Sequence, residues 1–153
     1  MDTYFFDSSA LVKRYVTETG TDWVSGIVDP SNASRIFIAR ITAVEVVSAI
    51  ARRFREGSLS DIDMKASLTR FRRELLTIYL PIEISQNLIS LAMTLAEAYA
   101  LRGYDAVQLA GALEVHNVRL GNSLTPPTLI SADAALNAAA LAEGMTVDDP
   151  NAH

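Results

Sequence analysis

Tyr4-Phe5-Phe6-Asp7-Ser8-Ser9-Ala10-Leu11-Val12 decides how the chain folds. Three consecutive aromatics leave no polar side for water, so Tyr4 to Phe6 predicts a buried strand. Asp7 ends it, and the small hydroxyls and apolar residues that follow predict a short helix over Ser8 to Val16. The same alternation recurs outward from this stretch. Ile36 to Ala39, Ile78 to Ile82 and Thr128 to Ile130 predict further strands, and Met145 to Val147 a fifth; Pro81 places the third at an edge or at its own end. Helical spacing fills the gaps. Thr21 to Val28 is one helix. Val44, Val47, Ala51 and Phe54 line one side of another that ends near Gly57, and Ser60 with Asp63 opens a third that runs to about Leu76. Leu88, Leu91, Ala92, Leu95 and Tyr99 mark a fourth. Gly103 precedes a fifth over Tyr104 to Asn117, and Ala134 to Glu143 is a last one closed by Gly144. Nearly all-apolar strands alternating with helices predict an α/β fold: a mostly parallel sheet of four to five strands, covered on both faces, with right-handed crossovers.

The chain's 153 residues suffice for one core, and no linker or repeat divides them, so residues 1–150 are expected to form one domain with 151–153 as a tail. The absence of cysteine excludes disulfides, thiolate metal sites and a cysteine nucleophile. The first apolar stretch carries Asp2 and Asp7, which does not suit a signal peptide. The most apolar window, Leu88 to Leu101, is broken by Thr94 and Glu97, short of the roughly 18 residues a span requires. A soluble, cytoplasmic protein with no membrane partner is expected. The net charge of −5 argues against a nucleic-acid partner, but its distribution weakens the objection. Seven of the thirteen basic residues fall between Arg52 and Arg73, against three acids there. That run also fits the solvated face of two helices.

Four acids stand where strands hand over to helices. Asp7 follows the first strand, Glu45 lies one turn into the helix after the second, Asp105 opens the helix after Gly103, and Asp133 comes three residues after Ile130. In open parallel sheets that edge is where ligands bind. Each acid also has a plain structural reading. Thr42-Ala43-Val44-Glu45 has the form of a capping box, and Asp7, Asp105 and Asp133 suit helix caps or the positive ends of helix dipoles. Taken together they point further. Converging carboxylates repel one another unless a cation lies between them, and an all-oxygen set without His or Cys suits Mg²⁺ or Mn²⁺ rather than Zn²⁺.

Four segments carry a family resemblance: FFDSSALVKRYVTE at 5–18, ITAVEVVSAIARRFREGSLS at 41–60, LRGYDAVQLAGAL at 101–113 and LISADAALNAAALAEGM at 129–145. In this order and spacing they resemble PIN-domain toxins of the VapC type. The resemblance implies a three-layer α/β/α sandwich, with Asp7, Glu45, Asp105 and Asp133 as a catalytic quartet ligating Mg²⁺ or Mn²⁺. It implies endonucleolytic cleavage of RNA, inhibition by a small cognate antitoxin, and a homodimer. Ser9 matches a hydroxyl beside the site, and Thr42 and Ser131 are expected to support the acids. Some relatives carry a further acid soon after the fourth; this chain has Ala134 and Ala135, which puts a second metal position in doubt.

On this view no protein nucleophile is needed. Metal-bound water would attack phosphorus and leave 5′-phosphate and 3′-hydroxyl ends. Asp7, Asp105 and Glu45 are expected around the principal ion, with Asp133 on a second ion or a bridging water. Lys13, Arg14, Arg40 and Arg102 flank the acidic motifs and are candidates to grip the RNA backbone; each is also an ordinary surface charge. His116, at the expected end of its helix, reads as a cap or a solvent-facing residue, and Trp23 as core. Two other functions fit the same fold. An aspartyl-nucleophile phosphatase would place an Asp after the first strand, but usually with an acid two positions on, where this chain has Ser9. A non-catalytic RNA- or protein-binding module is the other.

Overall fold

Phe5 and Phe6 sit on opposite faces of one sheet, and each is fully buried in a different core. Adjacent residues of a strand point to opposite sides, so two consecutive buried aromatics require cover on both. The computed structural model describes residues 1–153 and supplies that cover. Five strands run parallel: β1 (Thr3–Phe6), β2 (Arg35–Ala39), β3 (Tyr79–Ile82), β4 (Thr128–Ile130) and β5 (Thr146–Asp148), in the order β3-β2-β1-β4-β5. Pro81 lies in the edge strand β3, where a missing N–H breaks no interior ladder.

On one face lie α1 (Ser8–Leu11), α2 (Thr21–Val28), α3 (Thr42–Arg55) and α4 (Asp61–Thr77), packed over Phe6, Ile36, Ile38 and Ile130. On the other lie α5 (Gln86–Tyr99), α6 (Gly103–Gly121) and α7 (Ala134–Ala142), packed over Phe5, Ala39 and Leu129. The result is a three-layer α/β/α sandwich around a five-stranded parallel sheet, the architecture expected from the sequence. Helix α6 comes so close to the sheet that a Cβ on Gly111 would stand 3.1 Å from the Phe5 ring. No helix is long and apolar enough to cross a membrane.

The differences from the sequence reading are local. The first helix stops at Leu11 and continues as a 3₁₀ turn over Val12–Arg14, and α6 runs one turn further than expected, to Gly121. In α3 the inward face is Thr42, Val46 and Ile50, not the Val44–Phe54 stripe; Val44 is 61% exposed. Both stripes have helical spacing, and only the approach of α1 and α4 selects between them. Trp23 packs against the rim of the core rather than within it: it is half-buried and stacks on His153, ring centroids 4.0 Å apart. His116 lies inside α6, with a buried, unpaired Nδ1, rather than at the helix end. Residues 150–152 form a 3₁₀ turn with Pro150 buried, so the expected tail is docked on the domain.

Candidate active site

Asp7 is the buried centre of the strand-end edge. It closes β1 and caps α1, accepting from Ala10 N at 3.2 Å and from the Ser9 hydroxyl at 2.5 Å, both on Oδ1. Its side chain is almost sealed, with the residue 2% exposed. Burial pushes its pKa up to about 6; the bonds from Ser9 and Ala10 pull back, and the charge of Asp105 adds to the rise.

Hydroxyls stitch the loops after β1 and β4 together. The Ser131 hydroxyl donates to Asp7 Oδ2 at 3.4 Å and accepts from Asp133 N at 3.1 Å. Ser9 Oγ in turn accepts from Ala132 N at 3.0 Å. Pairing of Phe6 with Ile130 in adjacent parallel strands brings the two loops side by side. Asp133 caps α7 through Oδ1, which accepts from Leu136 N at 2.8 Å. In both aspartates the cap occupies Oδ1, so capping and a ligand role at Oδ2 are compatible. Asp105, in the first turn of α6, has its pKa raised by burial and then by the charge of Asp133, with Arg102 opposing.

Glu45 has no capping role. The backbone already turns helical at Ile41, which caps α3 without a side-chain bond. Thr42 therefore lies within the helix, fully buried, and its hydroxyl accepts from Gln108 Nε2 at 2.7 Å. Glu45 is left half-buried, near enough to Tyr104 for its charge to raise that phenol's pKa, after the larger effect of burial and against hydrogen bonds with Ser8, Gln108 and Thr42. Tyr104 and Gln108 are site residues that the sequence reading passed over. The available signal was a glutamine within the apolar run Ala106-Val107-Gln108-Leu109-Ala110.

The charge of Asp105 thus bears on Asp7, that of Asp133 on Asp105, and that of Glu45 on Tyr104. No three His, Cys, Asp or Glu side chains come close enough to share one metal ion. The donor set itself, all carboxylate and hydroxyl oxygen around a carboxyl made hard to ionise by burial, fits a hard divalent cation. Facing carboxylates repel one another, so closure around one point requires a positive charge between them.

Of the four candidate RNA-gripping cations, two are corrected. Lys13 and Arg14 are buried: Lys13 pairs with Glu18 at 3.1 Å and donates to Asn151, and Arg14 is held by Glu74 at 2.8 Å. The turn after α1 runs back under α2 and α4, which rotates both cations inward. Arg40 is exposed and paired with Glu83 at 2.5 Å. Arg102 is exposed, at the N-terminus of α6 beside Asp105.

No family model matches the chain. Over 115 residues it is 36% identical to the ribonuclease VapC45 of Mycobacterium tuberculosis (strain CDC 1551 / Oshkosh), covering 75% of this chain and 78% of that protein. It is equally similar over the same length to the ribonuclease VapC49 of Mycobacterium tuberculosis strain H37Rv. Among solved structures it resembles PAE2754 from Pyrobaculum aerophilum (TM-score 0.60, 20% identity, 99% of this chain and 91% of that one). It also resembles VapBC2 from Rickettsia felis, solved bound to a promoter DNA fragment (TM-score 0.60, 13% identity, 96% and 98%). FitAcB from Neisseria gonorrhoeae is similar to the same degree (TM-score 0.60, 14% identity, 96% and 97%).

Proposed function

The chain belongs to the VapC family of PIN-domain ribonucleases, the toxin components of toxin–antitoxin pairs, and from that premise we propose that it is an endoribonuclease that hydrolyses RNA phosphodiester bonds with Mg²⁺ or Mn²⁺ and is inhibited by a cognate antitoxin. The observation that carries the reading is Asp7: a carboxylate sealed at the sheet edge, oriented by Ser9 and Ser131, with Asp105 close enough to oppose its ionisation. Nothing in the fold requires a charge there, and an uncompensated buried acid costs stability.

Asp7, Asp105 and Glu45 would hold the principal ion, with Asp133 on a second ion or a bridging water. When bound, the metal supplies a water acidic enough to attack phosphorus and offsets charge on the scissile phosphate. The chain's own groups do the positioning. Ser9 and Ala10 N–H fix Asp7 Oδ1, which leaves Oδ2 turned towards Ser131. Ser131 links Asp7 to the backbone of Asp133, so one hydroxyl ties the two acids into a single hydrogen-bonded network. Arg102, exposed and near Asp105, would meet a backbone phosphate. The attacking oxygen bonds to phosphorus as the bond to O3′ breaks, and O3′ leaves with a proton; the products carry 5′-phosphate and 3′-hydroxyl ends.

One observation favours a non-catalytic binding module: no three acids stand within reach of a single ion. An RNA cleavage assay separates the readings. Wild type is expected to cut in Mg²⁺ or Mn²⁺ and not in EDTA, and Asp105→Asn to be inactive in both. RNA binding without turnover in either metal would favour the module. An aspartyl-phosphatase mechanism is disfavoured by Ser9, a hydroxyl bonded to Asp7 where such an enzyme needs an acid. Size-exclusion chromatography with light scattering tests the proposed homodimer, and cell fractionation the proposed cytoplasmic location.

A further inference from the structure

Gln108 is a buried amide in a helix whose other buried residues are all apolar: Ala106, Leu109, Ala110, Gly111, Ala112, Leu113 and Val115. A leucine would occupy a similar volume with no polar atom to satisfy. The amide donates from Nε2 to Thr42 Oγ1 and to the Tyr104 hydroxyl, each at 2.7 Å, while its Oε1 is buried with no partner. An orphaned buried acceptor opposes folding, so stability does not account for this side chain.

Its partners do. Thr42 lies three residues before Glu45 on α3, and Gln108 three residues after Asp105 on α6, so each pair shares one helix face. Tyr104 adjoins Asp105, and its hydroxyl lies beside Ser8, the residue after Asp7. The amide therefore ties together elements that carry three of the four acids, yet touches none of them. We propose that Gln108 is a positioning residue, fixing Glu45 relative to Asp105 so that both can face one divalent cation. The inference rests on the metal-dependent reading above.

The test is a titration of the full chain with Mn²⁺, followed by the electron paramagnetic resonance of free Mn²⁺, beside thermal melts in EDTA and RNA cleavage kinetics. Gln108→Leu and Thr42→Val are expected to weaken Mn²⁺ binding about tenfold, the lower end of what loss of an outer hydrogen bond costs a metal site. Gln108→Leu should lower kcat with KM for RNA unchanged, and its Tm in EDTA should equal or exceed the wild-type value. Wild-type Mn²⁺ affinity in Gln108→Leu, with binding lost in Asp105→Asn, would overturn the positioning role and leave the metal site standing. A fall in Tm that accounts for the weaker binding would also overturn it. If wild type takes no Mn²⁺, or Asp105→Asn takes it equally well, the metal-dependent reading fails and the positioning role fails with it. Should Gln108→Leu not fold, the near-isosteric Thr42→Val, which leaves the amide in place, decides by the same criteria.

Discussion

Arg14 grips Glu74 through two parallel hydrogen bonds, Nε to Oε2 at 2.8 Å and Nη2 to Oε1 at 2.9 Å, with both side chains about 5–6% exposed. Tyr15 also donates to Oε2, and Arg70 to Oε1. Burial alone would raise the Glu74 pKa; Arg14, Tyr15 and Arg70 reverse that and hold it below the ordinary carboxylate range. The cluster joins the turn after α1 to α4, which makes Arg14 a structural residue. Glu74→Ala strands a buried guanidinium and is expected to cost about 3–5 kcal/mol. Replacing both partners by apolar residues, Arg14→Met with Glu74→Leu, should recover most of that loss. Urea midpoints with matched m-values measure both. Because the folded pKa is depressed, this contribution is complete above the unfolded carboxyl pKa and fades as pH falls through the lower folded value.

Asp7 has the opposite sign. Its pKa of about 6 lies above the unfolded value near 4, so between those pH values the folded state binds more protons than the unfolded state. Stability of the metal-free protein therefore falls as pH rises from about 4 to about 6 and stays lower above that. The shift corresponds to an upper bound of about 3 kcal/mol. Asp7→Asn keeps an acceptor for Ser9 and Ala10 but carries no charge. Its Tm in EDTA should exceed wild type at pH 7.5 and match it only below about pH 4, under the unfolded carboxyl pKa, while cleavage is abolished. Added Mg²⁺ should raise the Tm of wild type and not of the variant. An unchanged Tm at pH 7.5 would show that Asp7 is not under electrostatic load.

The contrast between Lys13 and Arg102 marks where sequence adjacency failed as a guide. Both flank an acidic motif, but Lys13 is enclosed between Glu18 and Asn151 while Arg102 stands at the rim beside Asp105. Arg102→Ala should weaken RNA binding and lower the slope of log K against log salt by about one, with the fold intact. It should also move the acid limb of the pH–rate profile upward, because Arg102 is the group that opposes the rise in the Asp105 pKa. Lys13→Ala should leave the salt slope unchanged and lower Tm. The converse pattern would restore Lys13 as a phosphate contact.

Most of the architecture was legible because it depends on local pattern. Strands β1 to β4 are short, mainly apolar runs, and Asp7 and Asp133 stand at strand-to-helix junctions set by the chain order itself. What was not legible depends on partners distant in sequence. The Thr42–Glu45 box has the right letters, yet Gln108, 66 positions from Thr42, takes the hydroxyl. Helix α3 offers two apolar stripes, and its neighbours chose the one through Val46 and Ile50, leaving Val44 exposed beside Phe71 and Leu75 in an apolar groove. Ile50→Ala is accordingly expected to cost about 2–5 kcal/mol, and Val44→Ser less than about 0.5 kcal/mol. Chemical denaturation of the two variants would reverse this assignment if Val44→Ser proved the more damaging.

Gly20 holds the last segment of the chain in place. Its φ is +88°, a conformation that favours glycine, and a Cβ there would fall 2.3 Å from the Pro150 carbonyl oxygen. The contact is backbone to backbone, so no side-chain rotation relieves it. Around it, Asn151 accepts from Lys13 Nζ at 2.9 Å, and His153 stacks on Trp23 while bonding to Asp148 at 2.9 Å. Gly20→Ala must strain the left-handed turn, displace residues 150–153, or both. A loss of at least about 1–2 kcal/mol follows from the turn conformation alone. Release of the segment would expose Trp23 and free Lys13 from Asn151, and limited proteolysis should then clip the chain after Asp148 faster than in wild type. A red-shifted Trp23 emission with only a small change in Tm would indicate that the segment undocks locally, whereas a large Tm loss without faster clipping would place the strain in the Gly20 turn.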